Sequence, residues 1–323
     1  MVELNVSIWH NILNPLELIH LPLDIWVDEL LNWLVGNYRW FFQLIRAPID
    51  FALVTIEHLL QNTPEVILLI LGWFVSWQFA DRKTTVFVLI SMVTVGLVGA
   101  WSQAMTTLAL VITSVVFCII IGLPMGILLS RSSKMEAAVR PVLDAMQTTP
   151  AFVYLIPVVM LFGVGNVPGI IVTIVFALPP LVRLTILGIH QVPSDVIEAA
   201  YAFGASERQV MVKIKIPLAL RTIMTGINQT LMLSLSMVVV ASMIAVGGLG
   251  QMVLRGIGRL DIGQAAIGGL GIVLMAIALD RVTQGMGLSP RMRGTRFWYQ
   301  KGPVHLLIKL RDKVKDATTN DIH

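Results

Sequence analysis

The chain has 323 residues, of which 56% are hydrophobic and only 13% are charged, and its mean hydropathy is +0.81. Soluble globular domains carry about a quarter charged residues, so this composition excludes a water-soluble protein and indicates an all-α, polytopic helical membrane protein. The net charge is +4, and the basic residues are concentrated in some loops and in the tail. This distribution is a signal of membrane topology, and we expect no nucleic-acid partner. The single cysteine, Cys118, excludes an internal disulfide.

The N-terminal lead, residues 1–63, is acidic and rich in tryptophan. Trp26, Trp33 and Trp40 recur every seven residues on the apolar side of a predicted amphipathic helix. Tryptophan favours the headgroup level of a bilayer, so this helix either lies on the membrane surface or packs on its own protein, and the pattern alone fits both. No basic segment precedes an apolar stretch, so we expect no cleavable signal peptide.

Apolar runs follow, and we interpret each as a membrane span, seven in all. The runs are Val66–Ala80, Val86–Trp101, Met105–Leu129, roughly Val142–Phe162, Ile170–Ile189, Thr222–Val246 and Ala265–Leu279. The first two are short for a hydrocarbon core of about 30 Å, which takes about 20 helical residues. The runs define a transmembrane domain over residues 64–285, followed by a basic tail over residues 286–323.

The basic residues alternate between successive loops. They cluster at residues 82–83, at 131–140, in the central loop 190–221 and in the tail, whereas the turns near Ser102 and at 163–168 have none. By the positive-inside rule, the central loop and the C-terminus are cytoplasmic and the N-terminal lead is outside. We therefore expect a multi-pass membrane protein, with the lipid bilayer as its surroundings.

The central loop 190–221 is the longest polar interruption of the apolar part of the chain. Asp195 with Glu198, and Ser206 with Gln209, have the spacing of helix capping boxes. Gly204 fits the position after a helix end that needs positive φ, and Pro217 is expected to stop the second helix. The pattern predicts two short helices joined at a glycine, a local structure suited to docking.

Prolines and glycines mark expected bends and close contacts inside the spans. Gly122 and Gly126 form a small-residue face. Pro150 and Pro157 predict a kink in the fourth span, and Pro179–Pro180 one in the fifth. The glycine-rich turn 247–263 either meets a substrate-delivery protein or is a tight re-entrant turn.

The polar residues of the sixth span either bridge helices or line a wet path. If a translocation path exists, we place it along this span and beside residues 147–152. The candidate residues are Gln147, Thr148, Phe152, Gln229, Met232 and Ser236. The interiors at 86–129, 150–189 and 222–246 contain no Asp or Glu, which argues against coupling to a proton or sodium gradient.

Motifs for chemistry are lacking in the sequence. It has no Walker A pattern, no His/Cys spacing for a metal and no nucleophile–base set, and its histidines are scattered. We therefore expect that the chain is not an enzyme, binds no metal or cofactor and does not hydrolyse ATP itself. The energy for transport is expected to come from elsewhere.

The central loop resembles the EAA loop of ATP-binding-cassette importer permeases. The resemblance rests on Glu198, Ala199, Ala200, Gly204, Ile214 and Pro217 at the family's spacing. Ile216 stands where the family usually has leucine. Further segments, including 38–50, 144–152, 228–233 and 247–261, resemble osmoprotective glycine betaine/proline betaine permeases, so that the likeness covers roughly residues 25–285.

The resemblance implies the transmembrane domain of a type I importer in a bacterial plasma (inner) membrane. Two copies of the permease would pair with two ATPase subunits, which bind ATP, and would receive a quaternary-ammonium solute from an external, periplasmic binding protein. The six loop residues would couple the permease to the ATPase. The alternative is a self-powered secondary carrier or channel for a small solute. Such a protein is expected to have inverted repeats or charged residues at the membrane midplane, and the sequence shows neither clearly. Glycine betaine, proline betaine, choline, carnitine and trimethylamine N-oxide are all compatible with the sequence.

Overall fold

The structure is a computed structural model that describes residues 22–287, and the regular secondary structure of this part of the chain is entirely helical. The helices are α1 (Leu23–Asn62), α2 (Glu65–Phe79), α3 (Arg82–Leu97), α4 (Trp101–Leu129), α5 (Ser133–Thr148), α6 (Leu155–Phe162), α7 (Asn166–His190), α8 (Ser194–Ala202), α9 (Glu207–Val210), α10 (Ile216–Ala241), α11 (Leu249–Gly258) and α12 (Ile262–Gly287). The short 3-10 helices Ala151–Tyr154 and Ser242–Ile244 precede α6 and follow α10, and the π-helix Met211–Lys215 joins α9 to α10. The all-α prediction is confirmed. Most of the predicted basic tail and the start of the N-terminal lead lie outside the described residues.

Length and composition give fewer membrane spans than the seven predicted. Among the described residues, α4, α7, α12 and the stretch Glu207–Ile244 are each long and apolar enough to cross a membrane. Two bent pairs, α1 with α2 at 109° and α5 with α6 at 101°, raise the number to six at most. The predicted second span forms α3, whose 16 residues rise only about 24 Å and fall short of a hydrocarbon core of about 30 Å.

Prolines interrupt one of the two spans in which a kink was predicted. Pro150 follows Thr149, which is extended at φ −70° and ψ 128°, the conformation favoured before a proline. The predicted fourth span is therefore a sharply bent pair of helices rather than one kinked helix. Pro179 and Pro180 lie inside α7, which runs as a single helix through both prolines.

Helix α7 is the central element of the bundle and packs between α4 and α10. Its contact with α4 depends on the small-residue face that the sequence predicted, because a Cβ added at Gly126 would lie 2.7 Å from Cβ of Thr185. On the other side, Thr230 of α10 donates a hydrogen bond to the carbonyl of Ala177 at 3.0 Å. The central loop therefore begins at the end of α7, the most buried of the four candidate spans among the described residues.

Helix α1 contacts the bundle through its second half and leaves its first half exposed. Thr106 of α4 donates a hydrogen bond to Oε1 of Glu57 at 2.9 Å. In contrast, Trp26, Trp33 and Trp40 are 54%, 54% and 66% exposed. The tryptophan face does not pack on the described part of the chain, which favours the membrane-surface interpretation of this helix.

Candidate functional site

The first helix of the central loop, α8, starts directly after a proline. Pro193 is extended at φ −56° and ψ 136°, and α8 has no side-chain cap at its N-terminus. The capping box predicted for Asp195 and Glu198 is therefore wrong. Because α8 begins at Ser194, Asp195 lies in the first turn, where its carboxylate interacts favourably with the helix dipole without capping the helix.

The end of α8 is a Schellman motif centred on Gly204. The backbone N–H of Gly204 donates to the carbonyl of Tyr201 at 2.9 Å, and that of Ala205 donates to the carbonyl of Ala200 at 3.0 Å. Gly204 has φ +80°, a left-handed conformation that glycine adopts without steric cost. The prediction of a glycine stop is confirmed. The Schellman geometry explains why Gly204 follows Ala200 by four residues in the loop motif.

The second helix of the loop begins with the predicted capping box. Ser206 Oγ accepts a hydrogen bond from the backbone N–H of Gln209 at 3.4 Å, and Oε1 of Gln209 accepts one from the backbone N–H of Ser206 at 2.8 Å. Gly204 and Ser206 together therefore fix the turn between the two helices. Both interactions are local, which is why the sequence alone predicted them.

The second helix does not stop at Pro217, contrary to the prediction. It passes through the π-helix that contains Ile214 and continues into α10. The backbone N–H of Ile216 bonds to the carbonyl of Met211, five residues earlier, and this wider turn accommodates the proline without a break. The loop is therefore joined to α10 by continuous helix.

One side of the loop is anchored in the bundle. Val210 and Met211 are 1% and 5% exposed, and Met211 belongs to a buried cluster with Ile189 of α7 and with Ala219 and Ile223 of α10. A displacement of the loop must move these two helices or disrupt this cluster, since packed interiors tolerate little local deformation. The anchor is a tertiary feature that the loop motif did not reveal.

The other side of the loop points outward. Glu198 and Ala199 are exposed, Tyr201 is 47% exposed and Phe203 is 93% exposed. Aromatic residues are enriched at protein interfaces because they bury a large area at low entropic cost. We name Glu198, Ala199, Tyr201 and Phe203 the docking face. Sequence reasoning missed Phe203, although its position directly before Gly204 was a signal for it.

The candidate path residues of α10 share one face of that helix. Gln229, Met232 and Ser236 are spaced by three and four residues, and all three are exposed. On the opposite face, Thr230 and Ser234 are fully buried and face the interior of the bundle. Bridging and path-lining were both open for this helix. Thr230 bridges to α7, whereas path-lining by the exposed residues stays a prediction.

The second candidate segment lies beside the same helix. Phe152 is 59% exposed in the 3-10 helix after α5, Thr148 is exposed at the end of α5, and Gln147 is partly buried. The 3-10 helix packs on α10, since Ala151 belongs to one apolar cluster with Met237. The structure therefore places this 3-10 helix against α10, and we name the exposed residues Gln229, Met232, Ser236 and Phe152 the α10 face. That the α10 face conducts solute stays a prediction.

Two polar contacts between helices were missed at the sequence level. Asn228 donates a hydrogen bond to Oδ1 of Asp280 at 2.9 Å, which joins α10 to α12. Arg183 of α7 forms an ion pair with Asp144 of α5. Such pairing depends on which helices are neighbours, and the sequence does not show this. Among residues 22–287, no group of three His, Cys, Asp or Glu side chains is arranged to hold a metal ion.

Comparison with known proteins gives a consistent result. Residues 118–288 match the family described as binding-protein-dependent transport system inner membrane component. The chain is 58% identical over 299 residues to the glycine betaine/proline betaine transport system permease protein ProW of Escherichia coli. The aligned region covers 93% of this chain and 84% of that relative. It is 40% identical to the glycine betaine transport system permease protein OpuAB of Bacillus subtilis, and that alignment covers 85% of this chain and 97% of the relative. A solved structure of the inward-facing MetNI methionine ABC transporter matches with a TM-score of 0.52 and 22% identity, over 56% of this chain and 91% of that one, which concerns the fold alone.

Proposed function

The chain belongs to the inner-membrane components of binding-protein-dependent transport systems, among the glycine betaine permeases, and we propose that it imports glycine betaine or a related quaternary-ammonium osmoprotectant. The protein is a multi-pass permease subunit of an ABC transporter. The proposal for the solute is supported by the relatives, which include permeases named for glycine betaine, carnitine and trimethylamine N-oxide. ATP would be bound and hydrolysed by a separate ATPase subunit, and the chain itself would bind no cofactor.

The observation that carries the proposal for energy coupling is the two-sided loop. Its docking face would sit in a groove of the ATPase, and the buried anchor at Val210 and Met211 would transmit the movement of the ATPase to α7 and α10. Glu198, Ala199, Ala200, Gly204, Ile214 and Pro217 would form the coupling unit. ATP can bias the permease only if the contacts of this loop differ between its two conformations.

The α10 face supports a pairing of two permease copies around a common path. Gln229 and Ser236 supply polar groups, while Met232 and Phe152 supply flexible and aromatic surface. A path of this kind, formed between copies, would open and close as α10 moves with the loop. An external binding protein would deliver the solute to it.

The proposed orientation follows from the distribution of basic residues. The loop 190–221 and the C-terminus would be cytoplasmic, where the ATPase is, and α1 would lie at the outer surface if an odd number of spans follows it. The exposed tryptophan face of α1 supports a position at a membrane surface, since Trp26, Trp33 and Trp40 suit the headgroup level of either leaflet.

Uptake of radiolabelled glycine betaine tests the proposal. Cells without their own betaine systems would express this chain with or without the genes for an ATPase and a binding protein of the same system. Uptake only with all three components is expected. Uptake by this chain alone would instead establish a self-powered carrier, and a complete system that imports a different solute would refute the assignment of glycine betaine.

A further inference from the structure

An apolar cavity of about 310 Å³ lies between α2, α3, α4 and α12, away from both the central loop and the α10 face. We propose that it binds one phospholipid, whose acyl chain fills the cavity. The residues that line it include Leu71, Val75, Val88, Met92, Trp101 and Ala278, and none of the lining residues is charged. A site of this composition recognises hydrocarbon, and the established transport role does not use it.

Ser91 makes the cavity more than a gap in the packing. It lines the cavity and is 3% exposed, yet its Oγ has no hydrogen-bond partner in the described part of the chain. Other hydroxyls of α2 and α3 bond back to the carbonyl four residues earlier, as Ser76 does to Gly72 at 2.7 Å and Thr94 does to Ile90 at 2.8 Å. A buried hydroxyl without a partner is costly, so the Ser91 hydroxyl indicates a ligand with a hydrogen-bond acceptor.

Water does not satisfy this site. A buried water needs two to four polar partners, and an apolar cavity of this kind stays dry. Ser91 is the one hydroxyl among the lining residues, and backbone groups of helices α2, α3, α4 and α12 are used within the helices. An empty cavity would leave its lining without dispersion contacts on one side. A ligand that is long, apolar and polar at one point fits both conditions.

The surroundings identify the ligand as a membrane lipid. Leu71 and Val75 line the cavity and are 55% and 38% exposed, so its mouth opens on the face of α2. Among the helices around it, α4 and α12 are each long and apolar enough to cross a membrane, and α2 belongs to a bent pair that passes the same test. In the membrane, acyl chains are the solvent. The cavity has room for on the order of ten groups of the size of a water molecule or a methylene, which matches a large part of an acyl chain.

The short helix α3 allows the lipid ester to approach Ser91. With 16 residues, α3 is shorter than the bilayer core, and a short helix draws the membrane surface inward. Ser91 lies about 9 Å along the helix axis from the end of α3 at Leu97. A lipid that enters through the mouth on α2, with its headgroup toward this end of α3, places its ester carbonyl near the Ser91 hydroxyl, which donates the hydrogen bond.

Native mass spectrometry of the full chain, reconstituted with a defined phosphatidylethanolamine and released into mild detergent, tests the proposal. The expected spectrum contains one retained phospholipid per chain. Ala278→Phe places a ring in the cavity and should remove the lipid-bound peak, whereas Ile277→Phe, at the neighbouring residue of α12 that does not line the cavity, should keep it. Equal retention by both variants, or no retained lipid in any of the proteins, overturns the proposal, and a second copy of the chain or another segment would then occupy the cavity.

The role of Ser91 has its own arm in the same experiment. An ether-linked lipid with the same chains lacks the ester carbonyl and should be retained less than the ester lipid by the unaltered chain. Ser91→Ala should remove this difference, because the protein then offers no hydroxyl donor to either lipid. Equal retention of ester and ether lipids by the unaltered chain overturns the hydrogen bond. Since no transport is measured, failure here is separate from failure of the solute assignment.

Discussion

Substitution of Gly204 separates the backbone geometry of the central loop from its surface chemistry. The residue has φ +80°, and a Cβ added there would meet no atom within 4 Å, so a side chain costs conformational strain but no collision. A non-glycine residue in the left-handed region costs about 1–2 kcal/mol. Such a cost changes the population of the ordered loop end by a factor of roughly 5–30.

Three variants at this position divide the effect. Gly204→Ala adds strain alone, Gly204→Asn adds a side chain that tolerates the left-handed region, and Gly204→Asp has nearly the same shape as asparagine with a negative charge. We expect uptake to fall more in the alanine variant than in the asparagine variant. The aspartate variant should uncouple transport because its charge lies beside the docking face.

The assay is uptake and ATP hydrolysis by the reconstituted complex in proteoliposomes. Membrane insertion of each variant is checked by its amount in the membrane fraction, which should be unchanged, since the anchor at Val210 and Met211 is untouched. Equal uptake by the alanine and asparagine variants would refute the argument from backbone strain. Normal uptake by Gly204→Asp would refute the assignment of the loop to coupling.

Three further changes test other parts of the structure. Ser206→Ala removes the capping box and should destabilise the start of α9 by about 1 kcal/mol. We expect faster amide hydrogen exchange at the start of α9 but not in α4, and unchanged exchange in α9 would contradict the cap. Gly126→Ala forces a methyl group against Thr185 and should lower the thermal stability, at a cost of about 1–3 kcal/mol. The control Gly269→Ala should not lower it, because a Cβ at Gly269 meets no atom within 4 Å. Equal effects of the two variants would argue against close α4–α7 packing. Cys118 is fully buried, so we expect no maleimide labelling until the protein is denatured, and rapid labelling of the native protein would show that α4 is open at this point.

The sequence by itself determined the fold class and the local structure of the loop. Composition excluded a soluble protein, and the glycine stop at Gly204 and the capping box at Ser206 could be predicted because their hydrogen bonds join residues at most five apart in the chain. The same local reasoning failed at Asp195 and at Pro217. At Asp195 the helix begins one residue earlier, at Ser194 directly after Pro193, and at Pro217 the π-helix carries the second helix on into α10.

Only the tertiary structure decided which residues face each other. Gln229 and Thr230 are polar neighbours in a mostly apolar helix, and no pattern in the sequence says that one is exposed while the other donates to Ala177. In a membrane the outer face of a helix is as apolar as its buried face, so hydrophobic periodicity loses the signal that it carries in soluble proteins. The sharp bend between α5 and α6, the anchor of the loop and the lipid cavity depend on contacts between distant segments, and for this reason they emerged only from the packed helices.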